Sequence, residues 1–95
     1  MGDNNYVFIS YSRKNEDVVK KIVDELESAG QNVFIDYRDI PPGTVFANEI
    51  VNAIEKATCC VLMLSHESNN SNMVLNEVNS AVNHDKMIIP LKLNS

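Results

Sequence analysis

The chain has no tryptophan, two cysteines and three glycines, and each shortage closes a line of interpretation. Gly2, Gly30 and Gly43 stand too far apart to build a glycine-rich phosphate loop or a dinucleotide fingerprint. Cys59 and Cys60 are adjacent in an extended-looking run, so their side chains should leave opposite faces of a sheet. That arrangement does not suit ordinary disulfide geometry and makes no CxxC motif. Two buried free thiols suit a reducing compartment. His66 and His84 are isolated in the sequence and are expected to be exposed, so no metal site is expected. Ser10, Ser12 and Ser65 have no identifiable histidine–carboxylate arrangement to make one of them a nucleophile. No apolar run approaches the about 18 residues that suggest a membrane helix. Residues 1–5 lack the basic-then-apolar pattern of a signal peptide, which makes a cytoplasmic location the expectation. A formal charge of −5, without an interleaved basic and aromatic patch, argues against nucleic acid as a partner.

What remains is an ordinary globular composition, 44% apolar and 22% charged, of a size for one domain over residues 1–95. Tyr6–Tyr11 is a β-favouring run, too continuously apolar for a sheet with one wet face. Asn15 is a reasonable N-cap, and Glu16 and Asp17 put negative charge on a first helical turn. Val18, Val19, Ile22, Val23 and Leu26 recur at helical spacing, and Gly30 can end that helix in the left-handed conformation. Val33–Ile35 reads as a second strand. Asp36–Gly43 follows as a loop, because Pro41 and Pro42 lack the backbone donors a ladder or helix interior needs. Thr44 is a candidate cap for a helix whose buried face carries Phe46, Ile50, Val51, Ile54 and Ala57. Cys59–Leu64 is a third strand and residues 65–70 a polar loop. A third helix spans about 71–83 with Met73, Val74, Val78 and Ala81 inward. Met87–Leu91 is a fourth strand, with Pro90 expected at its end or at a bulge.

Four strands separated by three helices predict an α/β fold: an open, mainly parallel sheet with helices on both faces. Ending after the fourth strand, the sequence predicts an uncovered edge or part-face of the sheet. Glu77 falls on the helix that follows the third strand. A carboxylate there is well placed to face the crevice beyond the carboxyl ends of parallel strands, although most helical glutamates only face water.

The order of motifs resembles the Toll/interleukin-1 receptor (TIR) domain family. Tyr6–Ser12 is similar to the family's first box, an aromatic and aliphatic strand ending in Ser-Tyr. Asp36–Gly43 resembles its BB loop. Val61–Ser65 followed by Ser71–Val78 resembles its third motif, Ser-x-Trp-x-x-x-Glu, with Met73 in place of the tryptophan. The resemblance implies a flavodoxin-like fold and a chain that covers the earlier, larger part of it, lacking a C-terminal helix-strand-helix section.

It also implies one of two activities. The first is NAD glycohydrolysis, which splits the nicotinamide–ribose bond to give nicotinamide and ADP-ribose or a cyclised product. NAD would then be a consumed substrate rather than a cofactor, in keeping with the missing glycine fingerprint. The second is non-catalytic homotypic assembly with other TIR domains. For the first, the family's catalytic glutamate corresponds to Glu77, and Phe8 and Ser10 correspond to the approach to the nicotinamide end. Arg13 has the planar donor set that suits phosphate. The ordinary readings are a core aromatic for Phe8 and a solvated side chain for Arg13. For assembly, Asp36, Arg38 and Asp39 supply charges that select a partner, on a loop shaped by Pro41, Pro42 and Gly43.

Overall fold

β1 (Val7–Ser10) is sandwiched between two parallel neighbours, which is why the run is apolar on both faces: Phe8 and Ile9 are buried on opposite sides. A computed structural model describes residues 5–40 and 46–93. Thr44, Pro41, Pro42 and Gly43, with the side chain of Phe46, lie outside the described residues. The other strands are β2 (Val33–Phe34), β3 (Cys59–Leu64) and β4 (Met87–Lys92), and the sheet order is β2-β1-β3-β4, all parallel. That is the flavodoxin-like order, with its switch point between β1 and β3.

Three long helices supply the crossovers, α1 (Glu16–Ser28), α3 (Phe46–Lys56) and α5 (Asn72–Asn83). Val19 and Val23 of α1 pack with Ile9, Tyr11, Val33, Ile35, Val61 and Met63 on one face of the sheet. On the other face, Ile50, Ala53 and Ile54 of α3 and Ala81 of α5 close over Phe8 and Cys60. Helices therefore cover both faces, as the alternation of elements predicts.

Two short α-helices were not foreseen, nor was the 3-10 turn Arg13–Asn15 that precedes α1. α2 (Asp36–Asp39) occupies the beginning of the expected loop, and α4 (His66–Asn69) occupies the expected polar loop. The second carries a capping box in which the Ser65 hydroxyl accepts from the Ser68 amide while the Ser68 hydroxyl accepts from the Ser65 amide. Asn15 does hold the N-cap position of α1, but its side chain makes no capping bond. Instead it bridges to the β3 exit, accepting from the Ser65 hydroxyl at 2.7 Å and donating to Glu67 at 3.2 Å. Gly30, at φ +94°, ends α1 as expected.

Val18 and Val51 are corrections to the predicted buried faces, being 39% and 42% exposed. Each adjoins a buried residue, Val19 or Ile50, and the helical step of about 100° turns one of two consecutive apolar residues outward. His66 is exposed, whereas His84 is half-buried with Nδ1 2.9 Å from the Ser80 carbonyl oxygen. Pro90 lies inside β4, opposite Leu62, rather than at its end. β4 is an edge strand, and the Leu93 amide donates inward to the Leu64 carbonyl. Strand alternation then turns the Pro90 nitrogen to the open edge, where no ladder bond is lost. Met87 remains 68% exposed and Ile89 42% exposed on that strand, in line with the predicted uncovered part of the sheet.

Candidate functional site

The carboxyl end of β1 and the second turn of α5 meet at a buried hydrogen bond. The Ser10 hydroxyl donates to Glu77 Oε1 at 2.8 Å, and both residues are withdrawn from solvent, Ser10 at 0% and Glu77 at 4% exposure. Parallel pairing explains Ser10: it is the last ladder residue of the central strand, where the side chain emerges at the crevice. Ser71 explains Glu77. Its hydroxyl accepts from the Val74 amide and caps α5, which fixes the start and rotation of the helix. With the helix so placed, Val74, Glu77 and Ala81 form its buried stripe.

A buried carboxylate with one hydrogen-bond donor is costly to ionise. Burial pushes the Glu77 carboxyl up to about 7; the Ser10 bond opposes the shift, the charge of Asp36 adds to it, and Arg13 opposes it. Glu77 in turn acts on Cys60, whose thiol is pushed up to about 12, chiefly by burial and further by the charge of Glu77. The site thus holds a carboxyl that keeps its proton far more readily than a solvated one, beside a protonated thiol.

Glu77 opens into a cavity of about 410 Å³ between α3 and α5, walled mainly by Ala47, Ile50, Val51 and Met73, with Asn76 and Ser80 as further polar groups. A second cavity, of about 450 Å³, shares Met73 with the first and is lined also by Ser12, Arg13, Lys14, His66, Glu67, Asn70 and Ser71. Both volumes are typical of small-molecule sites.

The other predicted site residues are distributed differently. Phe8 is 1% exposed and stacks on Phe34 at a centroid distance of 5.7 Å, so it belongs to the core beneath the site. Arg13 is not simply solvated: it lines the second cavity and is paired with Asp36 at 2.8 Å. Asp36 is 5% exposed and also accepts from the Tyr11 hydroxyl at 2.9 Å. Its carboxylate therefore faces inward, contrary to the expectation of a surface charge that selects partners. The Tyr11 phenol is raised by burial and by its bond to Asp36; for Arg13 partial burial is the largest single influence and lowers it, but the charge and hydrogen bond of Asp36, with Tyr11 and Glu16, together outweigh it and raise the guanidinium.

Arg38 and Asp39 are outward but mutually engaged. Arg38 bonds Asp39, Glu27 and the Val33 carbonyl, while Asp39 accepts from the Ile35 amide. The hydrogen bonds to Asp39, followed by those to Glu27, raise the Arg38 guanidinium against the effect of burial. Sequence reasoning missed the Tyr11–Asp36 and Asn15–Ser65–Glu67 bridges. Among the described residues no group of three or more His, Cys, Asp or Glu could hold a metal ion, and no helix is long and apolar enough to cross a membrane.

Such a site can hold an apolar ring beside a carboxylate and an anion beside Arg13. Its carboxylate can stabilise a nearby positive charge or accept a proton. Comparison with known structures gives the fold close relatives. The TIR domain of the Toll-related receptor TRR-2 from Hydra magnipapillata superposes with a TM-score of 0.80 at 29% identity, over 88% of this chain and 66% of that one. A metazoan TIR-STING receptor from C. gigas matches with a TM-score of 0.80 at 26% identity, over 94% of this chain and 31% of that one. The TIR domains of the activated Roq1 resistosome, which directly recognises the pathogen effector XopQ, share the fold with a TM-score of 0.76 at 23% identity, over 93% of this chain and 56% of that one. The chain thus spans less than two thirds of the length of each of these relatives. No curated protein matches the sequence. The model of the TIR domain matches residues 7–95, and with that match the chain belongs to the TIR domain family.

Proposed function

We propose that the chain carries the catalytic part of an NAD glycohydrolase, with Glu77 as the catalytic carboxylate. The observation that carries this reading is the buried Ser10–Glu77 pair, which sets a carboxyl near pKa 7 against an apolar cavity at the carboxyl ends of the strands. Perturbed carboxyls in clefts are the usual mark of a working group. The substrate class comes from the family resemblance of the three motifs.

The chemistry requires little of the protein. The C1′–N bond of the nicotinamide ribose breaks, its electron pair leaves with the ring, and the pyridinium becomes neutral nicotinamide. Positive charge develops on the ribose as an oxocarbenium, and ionised Glu77 stabilises it from a water-poor cavity, where such a contact is strong. Water then adds to C1′ and releases one proton, which gives ADP-ribose. Addition of a ring nitrogen of the adenine instead gives a cyclic product. No acid is needed on the leaving group, so a single carboxyl suffices. Ser10 holds Glu77 in place, and Arg13 faces the phosphates.

The test is nicotinamide release from NAD by the full native chain and by its Glu77→Gln variant. Loss of about 100-fold or more in turnover is expected, the scale for removing one aimed electrostatic group. Native turnover in a folded Glu77→Gln protein would falsify the proposal.

Homotypic assembly is the second reading. It is supported by Leu75 and Val82, both 56% exposed and on one side of α5, and by the assembled state of the Roq1 relative. Sedimentation over a concentration series distinguishes the two: self-association without turnover favours assembly alone.

A further inference from the structure

The Glu77 cavity holds two polar side chains that the chemistry above leaves unused. Asn76 and Ser80 line it together with Glu77. They stand one helical turn apart on the same side of α5, about 6 Å along its axis. The other polar groups near the strand ends are already engaged: Ser10 with Glu77, Tyr11 and Arg13 with Asp36, and Asn15 with Ser65 and Glu67. Among the described residues, neither the Asn76 nor the Ser80 side chain has a hydrogen-bond partner. Facing them across the cavity are the apolar side chains of Ala47, Ile50 and Val51 on α3. Among the described residues that line the cavity, Glu77 is the only ionisable one. Such a chamber suits an uncharged planar ring that carries a donor and an acceptor. The Asn76 amide presents one of each, so a second amide is its complement. A carboxylate offers acceptors only, and it would lie beside Glu77 with no cation to offset it.

We propose that Asn76, supported by Ser80, reads the carboxamide of the nicotinamide ring and makes the cavity selective for the amide over the corresponding acid. This inference rests on the glycohydrolase reading and extends it to the choice of leaving group. With C1′ of the ribose at Glu77, the ring lies against Ile50 and Val51. Its carboxamide exchanges hydrogen bonds with Asn76 and meets the Ser80 hydroxyl. Released nicotinamide is a ligand for the same place.

The experiment uses the full native chain at pH 8. Nicotinamide and nicotinic acid are the binding probes, followed by ligand-observed NMR. NAD and its acetylpyridine analogue, which keeps the carbonyl but lacks the amide donors, compete as substrates in one reaction. Their ratio of kcat/KM does not depend on how much of a variant is folded. Nicotinic acid should bind the native chain about tenfold more weakly than nicotinamide, or worse. Asn76 is exposed, so Asn76→Ala is expected to fold normally. It should weaken nicotinamide binding and lower the NAD-to-analogue ratio by about five- to tenfold, the scale of one neutral hydrogen bond. Ser80→Ala should move both in the same direction by less. Equal native affinity for acid and amide, or native nicotinamide affinity in folded Asn76→Ala protein, overturns the proposal, while activity lost in Glu77→Gln would still support the catalytic reading. If Asn76→Ala acts as expected but Glu77→Gln still cleaves NAD, the carboxamide site stands and the role of Glu77 falls.

Discussion

Ser10 and Glu77 are 67 positions apart in sequence and share a buried 2.8 Å hydrogen bond. The serine hydroxyl donates, so the bond favours the ionised carboxyl and restrains a shift that burial would otherwise carry further.

Ser10→Ala should therefore move the Glu77 carboxyl above about 7 and cost about 1–3 kcal/mol at alkaline pH, where a buried charge loses its donor. Carboxyl titration by NMR reads the first effect and urea unfolding at pH 8 the second. An unchanged titration would show that the hydroxyl does not act on the carboxylate.

The raised Glu77 carboxyl also fixes a sign for pH. Between its ordinary value of 4.5 and about 7, the folded state holds a proton that the unfolded chain has released. Its contribution to stability is complete below 4.5 and is lost as pH rises through 7, by an amount on the order of 3 kcal/mol. On the proposed glycohydrolase reading, turnover should run the other way, rising through pH 7 as the carboxylate forms. Glu77→Gln should thus raise the melting temperature at pH 8 more than at pH 5 while removing activity. Thermal scans at the two pH values check this, and equal shifts would place the proton elsewhere.

Asp36 ties the exit of β2 to the exit of β1 through Tyr11 and Arg13. Fully buried pairs cost about 3–5 kcal/mol to break from one side, but the Arg13 side chain is 50% exposed and can rehydrate. Asp36→Asn should cost about 1–2 kcal/mol, and Tyr11→Phe about 1 kcal/mol. Loss of the Asp36 charge should also lower the Glu77 carboxyl and carry the acid limb of the rate profile with it. A rate profile unmoved in Asp36→Asn would break that link.

Arg38 is held by Glu27, Asp39 and the Val33 carbonyl. Arg38→Glu should consequently cost about 1–2 kcal/mol in folding, because it sets three partners against a like charge or an empty donor position. Chemical unfolding and sedimentation on the same samples separate the effects. Weakened association with unchanged stability would return Arg38 to a purely partner-facing role.

The sequence made the long elements legible because their apolar spacing records burial directly: the limits of β3 match the prediction, and Gly30 ends α1 where expected. The α2 turn is too short to show a helical period. The α4 turn did carry a signal, serines at positions 65 and 68 with N-cap and N3 spacing, although serine stands where Glu or Gln usually marks a capping box. Glu77 could be singled out because strand, loop and helix order place it at the crevice. Its bond to Ser10, and the bridges Tyr11–Asp36 and Asn15–Ser65, join residues 25 to 67 positions apart. Nothing periodic encodes such pairs. They depend on the sheet order, which brings the ends of β1, β2 and β3 together.

Cys60 lies at 1% exposure beside Glu77, with its thiol held at about 12. Thiolate is the reactive form of cysteine, so this thiol is silent toward alkylating reagents while the fold is closed. Each opening that frees it from α3 and α5 exposes it to capture. The rate of Cys60 alkylation, followed by mass spectrometry in large reagent excess, is therefore an intrinsic clock for the opening of this layer. A ligand that binds only the closed form should slow it, by a factor that reports occupancy of the cleft without any turnover being measured.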